Sequence, residues 1–96
     1  MEPDIKCKLT FYLQDKPVEF RSGNWLHFKI REDEFNGALV ELIGADAVMF
    51  GQTIDGDVKF LVWDRVKDYI KVGSKFAFLW GPNKILGEAE VIEIIR

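Results

Sequence analysis

The sequence predicts an all-β domain, a closed or nearly closed antiparallel barrel of about six strands. Three observations carry this. Over residues 5–13 the apolar side chains Ile5, Cys7, Leu9, Phe11 and Leu13 take every odd position, with Lys6, Lys8, Thr10 and Tyr12 between them. A strict period of two marks a strand with one buried face. Similar short alternating runs recur along the chain, separated by polar stretches rich in the residues that favour turns. Helical spacing is confined to residues 64–72, where Val66, Tyr69 and Ile70 fall at i, i+3 and i+4. That segment is too short to stand as a helix and predicts a loop with at most one turn.

After the first strand, Gln14-Asp15-Lys16-Pro17 predicts a turn, residues 18–21 a short second strand, and Ser22-Gly23-Asn24 a break. Leu26, Phe28 and Ile30 then alternate with Trp25, His27, Lys29 and Arg31 in a third strand. Residues 32–37 are mostly polar and end in the turn signal Asn36-Gly37, so a fourth strand is expected over residues 38–43. Residues 44–56 suggest one short strand around Val48-Met49-Phe50, closed by a turn at Asp55-Gly56. A strand over residues 58–63 follows. The last two strands are expected at residues 76–78 and 89–95, with Gly81-Pro82-Asn83-Lys84 turning between them. The inward phase places Ile5, Cys7, Leu9, Phe11, Leu13, Val18, Phe20, Leu26, Phe28, Ile30, Val58, Phe60, Val62, Phe76, Phe78, Ala89 and Val91 in the core.

The 96 residues fit a single domain spanning residues 1–96. With 48% of them hydrophobic, the chain has the means to build a core. A net charge of -3 argues against broad, non-specific nucleic-acid binding, which needs a basic face, although a local basic patch fits within it. Cys7 is the only cysteine, which excludes an internal disulfide and points to a reducing compartment, hence a cytoplasmic protein. The opening MEPDIKCKL contains no apolar signal core. No apolar run approaches about 20 residues, so no transmembrane helix and no membrane association are expected.

Laid end to end, these segments resemble the C-terminal, third domain of elongation factor Tu. Residues 4–13 are similar to that domain's first strand. Phe20-Arg21-Ser22-Gly23 followed by His27-Phe28-Lys29-Ile30-Arg31 resembles its segment of alternating aromatic residues before an arginine. Glu32-Asp33-Glu34-Phe35-Asn36-Gly37 resembles the polar turn after it, and Gly56-Asp57-Val58-Lys59 its Gly-Asp step into a Val-Lys strand. Residues 73–78 and 84–91 resemble the final hairpin, with a basic residue at Lys84 and a glycine at Gly87. The resemblance implies a free-standing β-barrel that binds partners and does no chemistry. In the factor this barrel contacts the acceptor and T-stem of aminoacyl-tRNA, the exchange factor and the neighbouring domains. It is preceded there by a GTPase domain. No G-x-x-x-x-G-K-[ST] motif occurs in this chain, so nucleotide binding is not expected.

The residues themselves supply no catalytic constellation. His27, the lone histidine, lies in the outward phase of its strand, and one His with one Cys on another strand does not make a metal site. Cys7 points inward, where a thiol behaves as a small core residue rather than a nucleophile. Glu32, Asp33, Glu34, Asp55 and Asp57 are read as scattered over turns. Neither a glycosidase pair nor a complete calcium loop emerges from them. A small hydrolase would need convergent groups that the sequence does not supply. No catalytic residue, metal or cofactor is therefore expected.

The aromatic residues carry the functional signal. Tyr12, Trp25 and Trp63 lie in the outward phase, as do Leu61 and Leu79, and Trp80 sits at a strand end. Outward Trp and Tyr are enriched at interfaces. The expected function is a non-enzymatic module binding another protein or a second copy of itself, through Trp25, Trp63, Trp80, Leu61 and Tyr12. Lysines interleaved with these aromatics allow an alternative, an RNA-binding barrel similar to the tRNA-contacting domain, with Arg31, Lys84 and Lys29 as contacts. The acidic balance and Glu19, Glu32 and Glu34 weigh against it. The strand over residues 58–63 is largely apolar on both faces. Its cover is expected from residues 44–56, from residues 64–72 or from a second chain related by a two-fold axis.

Overall fold

The computed structural model describes residues 2–16, 18–32, 34–80 and 84–96. Its strands are β1 (Ile5–Phe11), β2 (Glu19–Arg21), β3 (Asn24–Arg31), β4 (Glu34–Leu42), β5 (Ala47–Met49), β6 (Thr53–Phe60), β7 (Lys75–Leu79) and β8 (Ile85–Ile94). Six of them close a barrel in the order β1-β6-β4-β3-β7-β8, and every neighbouring pair is antiparallel. β2 and β5 form a separate two-stranded sheet. The expected helical spacing at residues 64–72 resolves into two short 3-10 turns, Trp63–Arg65 and Lys67–Tyr69, which bury Val66 and Ile70 in the core.

The alternation in the sequence becomes the inside and outside of the barrel. In β1, Ile5, Cys7, Leu9 and Phe11 are buried, while Lys8 is exposed. The interior is organised by a chain of aromatic rings. Phe20 and Phe50, from the segments around β2 and β5, lie 5.5 and 5.3 Å from Phe11. Phe11 meets Phe78 at 4.9 Å, Phe78 meets Phe28 at 6.0 Å, and Phe28 meets Phe60 at 5.7 Å. Trp63 continues the chain 6.1 Å from Phe60. Each such pair contributes about 0.5–1.5 kcal/mol beyond the burial of its area. The small β2-β5 sheet is thereby fastened to the barrel through Phe20.

Two glycines permit this packing. Gly56 lies inside β6, buried opposite Cys7, and a Cβ there would stand 2.7 Å from Leu9 Cδ1. Gly87 faces the ring of Phe78 and the backbone oxygen of Thr10 so closely that no Cβ fits. Both are close-approach glycines in strands rather than turn glycines.

Among the described residues, one polar side chain is fully buried. Asp4 accepts from the Phe60 backbone N–H at 2.8 Å through Oδ2 and from Arg96 Nη1 at 2.9 Å through Oδ1. Its own N–H donates to the Val58 carbonyl, and its carbonyl accepts from the N–H groups of Ile95 and Arg96. The start of β1, the end of β6 and the end of β8 are thus tied at one residue.

Several expectations are corrected. Asn36-Gly37 and Asp55-Gly56 are not turns but lie within β4 and β6, so Asp55 and Asp57 are strand residues. β6 ends at Phe60, and the chain turns at Leu61 and Val62. Val62 is therefore exposed instead of buried, and Trp63 folds back against the core. Val66 and Ile70 of residues 64–72 join the core cluster, while Leu61 on the outer side remains 71% exposed. Leu13 is 82% exposed because β1 stops at Phe11 and the alternation no longer applies beyond it. Leu79 is buried despite its outward phase. The β7-β8 register shifts there, with Leu86 an extra residue opposite the pair Phe78 and Leu79, and such a bulge re-aims neighbouring side chains. Val18 and Ile30 are only partly buried against the core. Of the turn expected at residues 81–84, only Lys84 is described. Pro17 of the first turn and Asp33 also lie outside the described residues.

Candidate functional site on the outer face of β3 and β4

The exterior of a closed barrel is read in rows across its strands, because directly paired residues share a face. Over β7, β8, β1 and β6 two rows bring opposite charges together, a neighbouring row of Ala77, Glu88, Thr10 and Thr53 carries one charge, and like charges meet only where Asp57 faces Glu41 of β4. Lys75 pairs with Glu90, Glu90 with Lys8, and Lys8 with Asp55. In the next such row, Glu93 pairs with Lys6 at 3.8 Å between charged atoms, Lys6 with Asp57, and Asp57 with Glu41. These rows are a solvated surface.

Over β3 and β4 the character changes. Trp25 pairs with Leu39, and Leu39 with Lys59. His27 pairs with Gly37, whose carbonyl accepts from the Leu61 N–H at 2.9 Å. Lys29 pairs with Phe35. Trp25 is 50% exposed, Phe35 47% and Leu61 71%, an apolar group far more open than core residues are. At its centre, a Cβ added to Gly37 would meet nothing within 4 Å. The face is therefore a group of exposed apolar side chains around an open position that carries no side chain.

A polar cleft of about 620 Å³ adjoins the Phe35 end, lined by Arg31, Glu32, Glu34, Phe35, Asn36 and Arg65. A register shift between Lys29 and Arg31 leaves Ile30 without a pair, and the ladder continues with Arg31 opposite Glu34. Glu34 stands between two guanidiniums, 3.3 Å from Arg31 Nη1 and 3.9 Å from Arg65 Nε. The Arg31 guanidinium also sits over the Tyr69 ring, 4.8 Å from its centroid, in a cation–π contact. Asn36 Nδ2 is buried and lacks a hydrogen-bond partner.

The structure brings some of the sequence-predicted residues together and separates others. Trp25, Leu61 and Lys29 share the β3-β4 face. Trp80, half-exposed, follows Leu79, which pairs with His27, so it lies beyond the neighbouring β7 edge. Tyr12 is exposed but extends past β1, where its N–H donates to the Leu86 carbonyl, away from this face. Trp63 is half-buried against Phe60, so most of its ring is occupied within the chain. Arg31 is engaged by Glu34 and Tyr69 rather than free. Lys84 is exposed beside Gln14, Asp15, Lys16 and Val18, apart from Arg31 and Lys29. Leu39, Phe35, Asn36 and Arg65 were not legible as site residues. Reading Asn36-Gly37 as a turn hid the outward phase of Phe35 and Gly37.

Cys7 is fully buried, and desolvation pushes its thiol up to about 12. His27 is exposed between Trp25 and Lys29. Among the described residues no three His, Cys, Asp or Glu side chains are grouped to hold a metal, and no helix is long and apolar enough to cross a membrane. No protein-family model matches the chain, and no curated protein matches it.

Proposed function

We propose that this domain is a non-enzymatic binding module that engages another protein through the outer face of β3 and β4. The observation that carries this reading is the contrast between two halves of one barrel exterior. Opposite charges pair in two rows across β7, β8, β1 and β6, whereas Trp25, Leu39, Phe35 and Leu61 surround the open position at Gly37. Exposed aromatic side chains are enriched at protein contact surfaces. The resemblance to the partner-binding barrel of elongation factor Tu, without its GTPase domain, supports the same reading, as does a cytoplasmic setting for a chain whose single cysteine is free. Affinity capture with the wild-type domain, compared with Trp25→Ala and Gly37→Lys variants, tests it. The same bound protein should be lost in both variants while the barrel stays folded. Equal recovery by all three would overturn the reading. Recovery of a second copy alone would make the partner the chain itself.

A second reading, RNA binding, is favoured by one specific observation. Trp25, His27 and Lys29 form an exposed stripe along β3, an aromatic platform next to a cation. Labelled tRNA titrated at low and moderate salt separates it from the first. Phosphate contacts weaken steeply with salt, and no binding at low salt removes the RNA reading.

A further inference from the structure

The cleft beside Phe35 holds more hydrogen-bond donors than the described residues satisfy. Each guanidinium presents five N–H donors in a planar fork. Among the described residues, the side-chain acceptor they meet is Glu34, which accepts from Arg31 Nη1 at 3.3 Å. At 3.9 Å, Arg65 Nε makes an ion pair with Glu34 but no hydrogen bond. Asn36 Nδ2 adds a third donor, buried and without a partner. Leaving a buried donor unmet costs about 1–3 kcal/mol, and native proteins keep few of them. Three side chains with spare N–H groups thus line one cleft, from β3, from β4 and from the first 3-10 turn.

We propose that this cleft is a carboxylate-receiving subsite of the protein-binding face. An aspartate or glutamate side chain of the partner, or its terminal carboxylate, enters between the Arg31 and Arg65 guanidiniums, next to Asn36. The proposal rests on the reading of the β3-β4 face as a protein contact surface, because Phe35 belongs to both the apolar group and the cleft. Charge selects the occupant. Arg31 and Arg65 are balanced formally by Glu32 and Glu34, so the cleft tolerates one added negative charge better than the two of a phosphate. A planar carboxylate also matches the guanidinium fork. Glu34 acts as the resident competitor that holds the two guanidiniums until the partner's carboxylate arrives.

The test titrates isotope-labelled protein with acetate and, separately, with inorganic phosphate at constant ionic strength. It follows the arginine Nε–H signals and the Asn36 side-chain amide. Acetate should shift the Arg65 and Asn36 signals saturably. Glu34→Gln removes the competitor and should tighten acetate binding about tenfold, the equivalent of one charge-assisted hydrogen bond. Arg65→Gln should abolish saturation in a protein whose backbone spectrum is otherwise intact. The proposal is overturned by any of three results: no saturable shift up to on the order of 100 mM acetate in both wild type and Glu34→Gln, tighter binding of phosphate than of acetate, or an Arg65→Gln variant that titrates like wild type. These outcomes do not depend on Trp25 or Gly37. A negative result here, with partner capture still lost in Gly37→Lys, removes the cleft and leaves the apolar face standing.

Discussion

Asp4 and Arg96, 92 positions apart in the sequence, meet at 2.9 Å. The carboxylate is fully buried, and the guanidinium is half-exposed. The same carboxylate also satisfies the buried N–H of Phe60. Truncating the two partners should therefore have unequal consequences. Asp4→Ala leaves that N–H unmet and frees Arg96, for an expected loss of about 3 kcal/mol. Arg96→Ala removes the more solvated partner and should cost about 1 kcal/mol. Urea unfolding of the two variants at neutral pH gives the comparison, and equal losses would mean that the Phe60 bond contributes nothing.

Cys7 gives a pH prediction with a definite sign. Burial raises its native pKa from 9.0 to about 12, so the folded state keeps a proton that the unfolded state releases. Its contribution to stability is complete below pH 9 and falls as pH rises from about 9 towards about 12. Cys7→Ala should flatten that decline relative to wild type, measured as unfolding midpoints across this range. In the native wild type at pH 8, thiol reagents should label Cys7 only as fast as the protein unfolds. Immediate labelling would mean that the thiol is reachable in the folded barrel.

The glycines divide by what surrounds them. Gly56→Ala drives a methyl into Leu9 and should destabilise by about 1–3 kcal/mol. Gly37→Ala meets open space and should stay within about 0.5 kcal/mol of wild type. Thermal melts distinguish them. A large loss at Gly37 would indicate that the open position is already filled from within the chain.

Trp25 and Trp63 should separate in the same way. Trp63→Ala uncovers Phe60 and removes a half-buried ring, for an expected loss of about 2 kcal/mol. Trp25→Ala should change stability by less than about 0.5 kcal/mol, because its half-exposed ring lies outside the core cluster. If Trp25→Ala unfolds the domain, that ring is a structural element and not a contact surface.

The strands with one wet and one dry face were legible in the sequence. The alternations of β1 and β3 carry through to burial nearly residue by residue, since period two leaves no freedom once one face is dry. Glycine misled the reading where it serves tertiary packing. Asn36-Gly37 and Asp55-Gly56 carry turn chemistry locally, but Gly56 sits where Leu9 crosses close by, a contact that local sequence does not contain. The end of β6 was missed for a related reason. Leu61, Val62 and Trp63 extend an apolar run, yet the chain leaves the ladder after Phe60, whose N–H is taken by Asp4 from the other end of the sequence. Of the site, Trp25, Leu61 and Lys29 could be proposed from phase alone. The Arg65 side of the cleft could not, because it arrives on a 3-10 turn with no strand periodicity to place it.

Closure of the six-strand ring has a consequence for how this domain can change. A closed ring has no edge strand among its six, so another chain cannot extend the barrel by adding a strand at an edge. Recognition on those strands must be written in side chains alone, and the side chains that face out take no part in the aromatic stack that holds the interior. Exterior letters on β3 and β4 can therefore be rewritten one at a time while the inward letters go on specifying the same barrel.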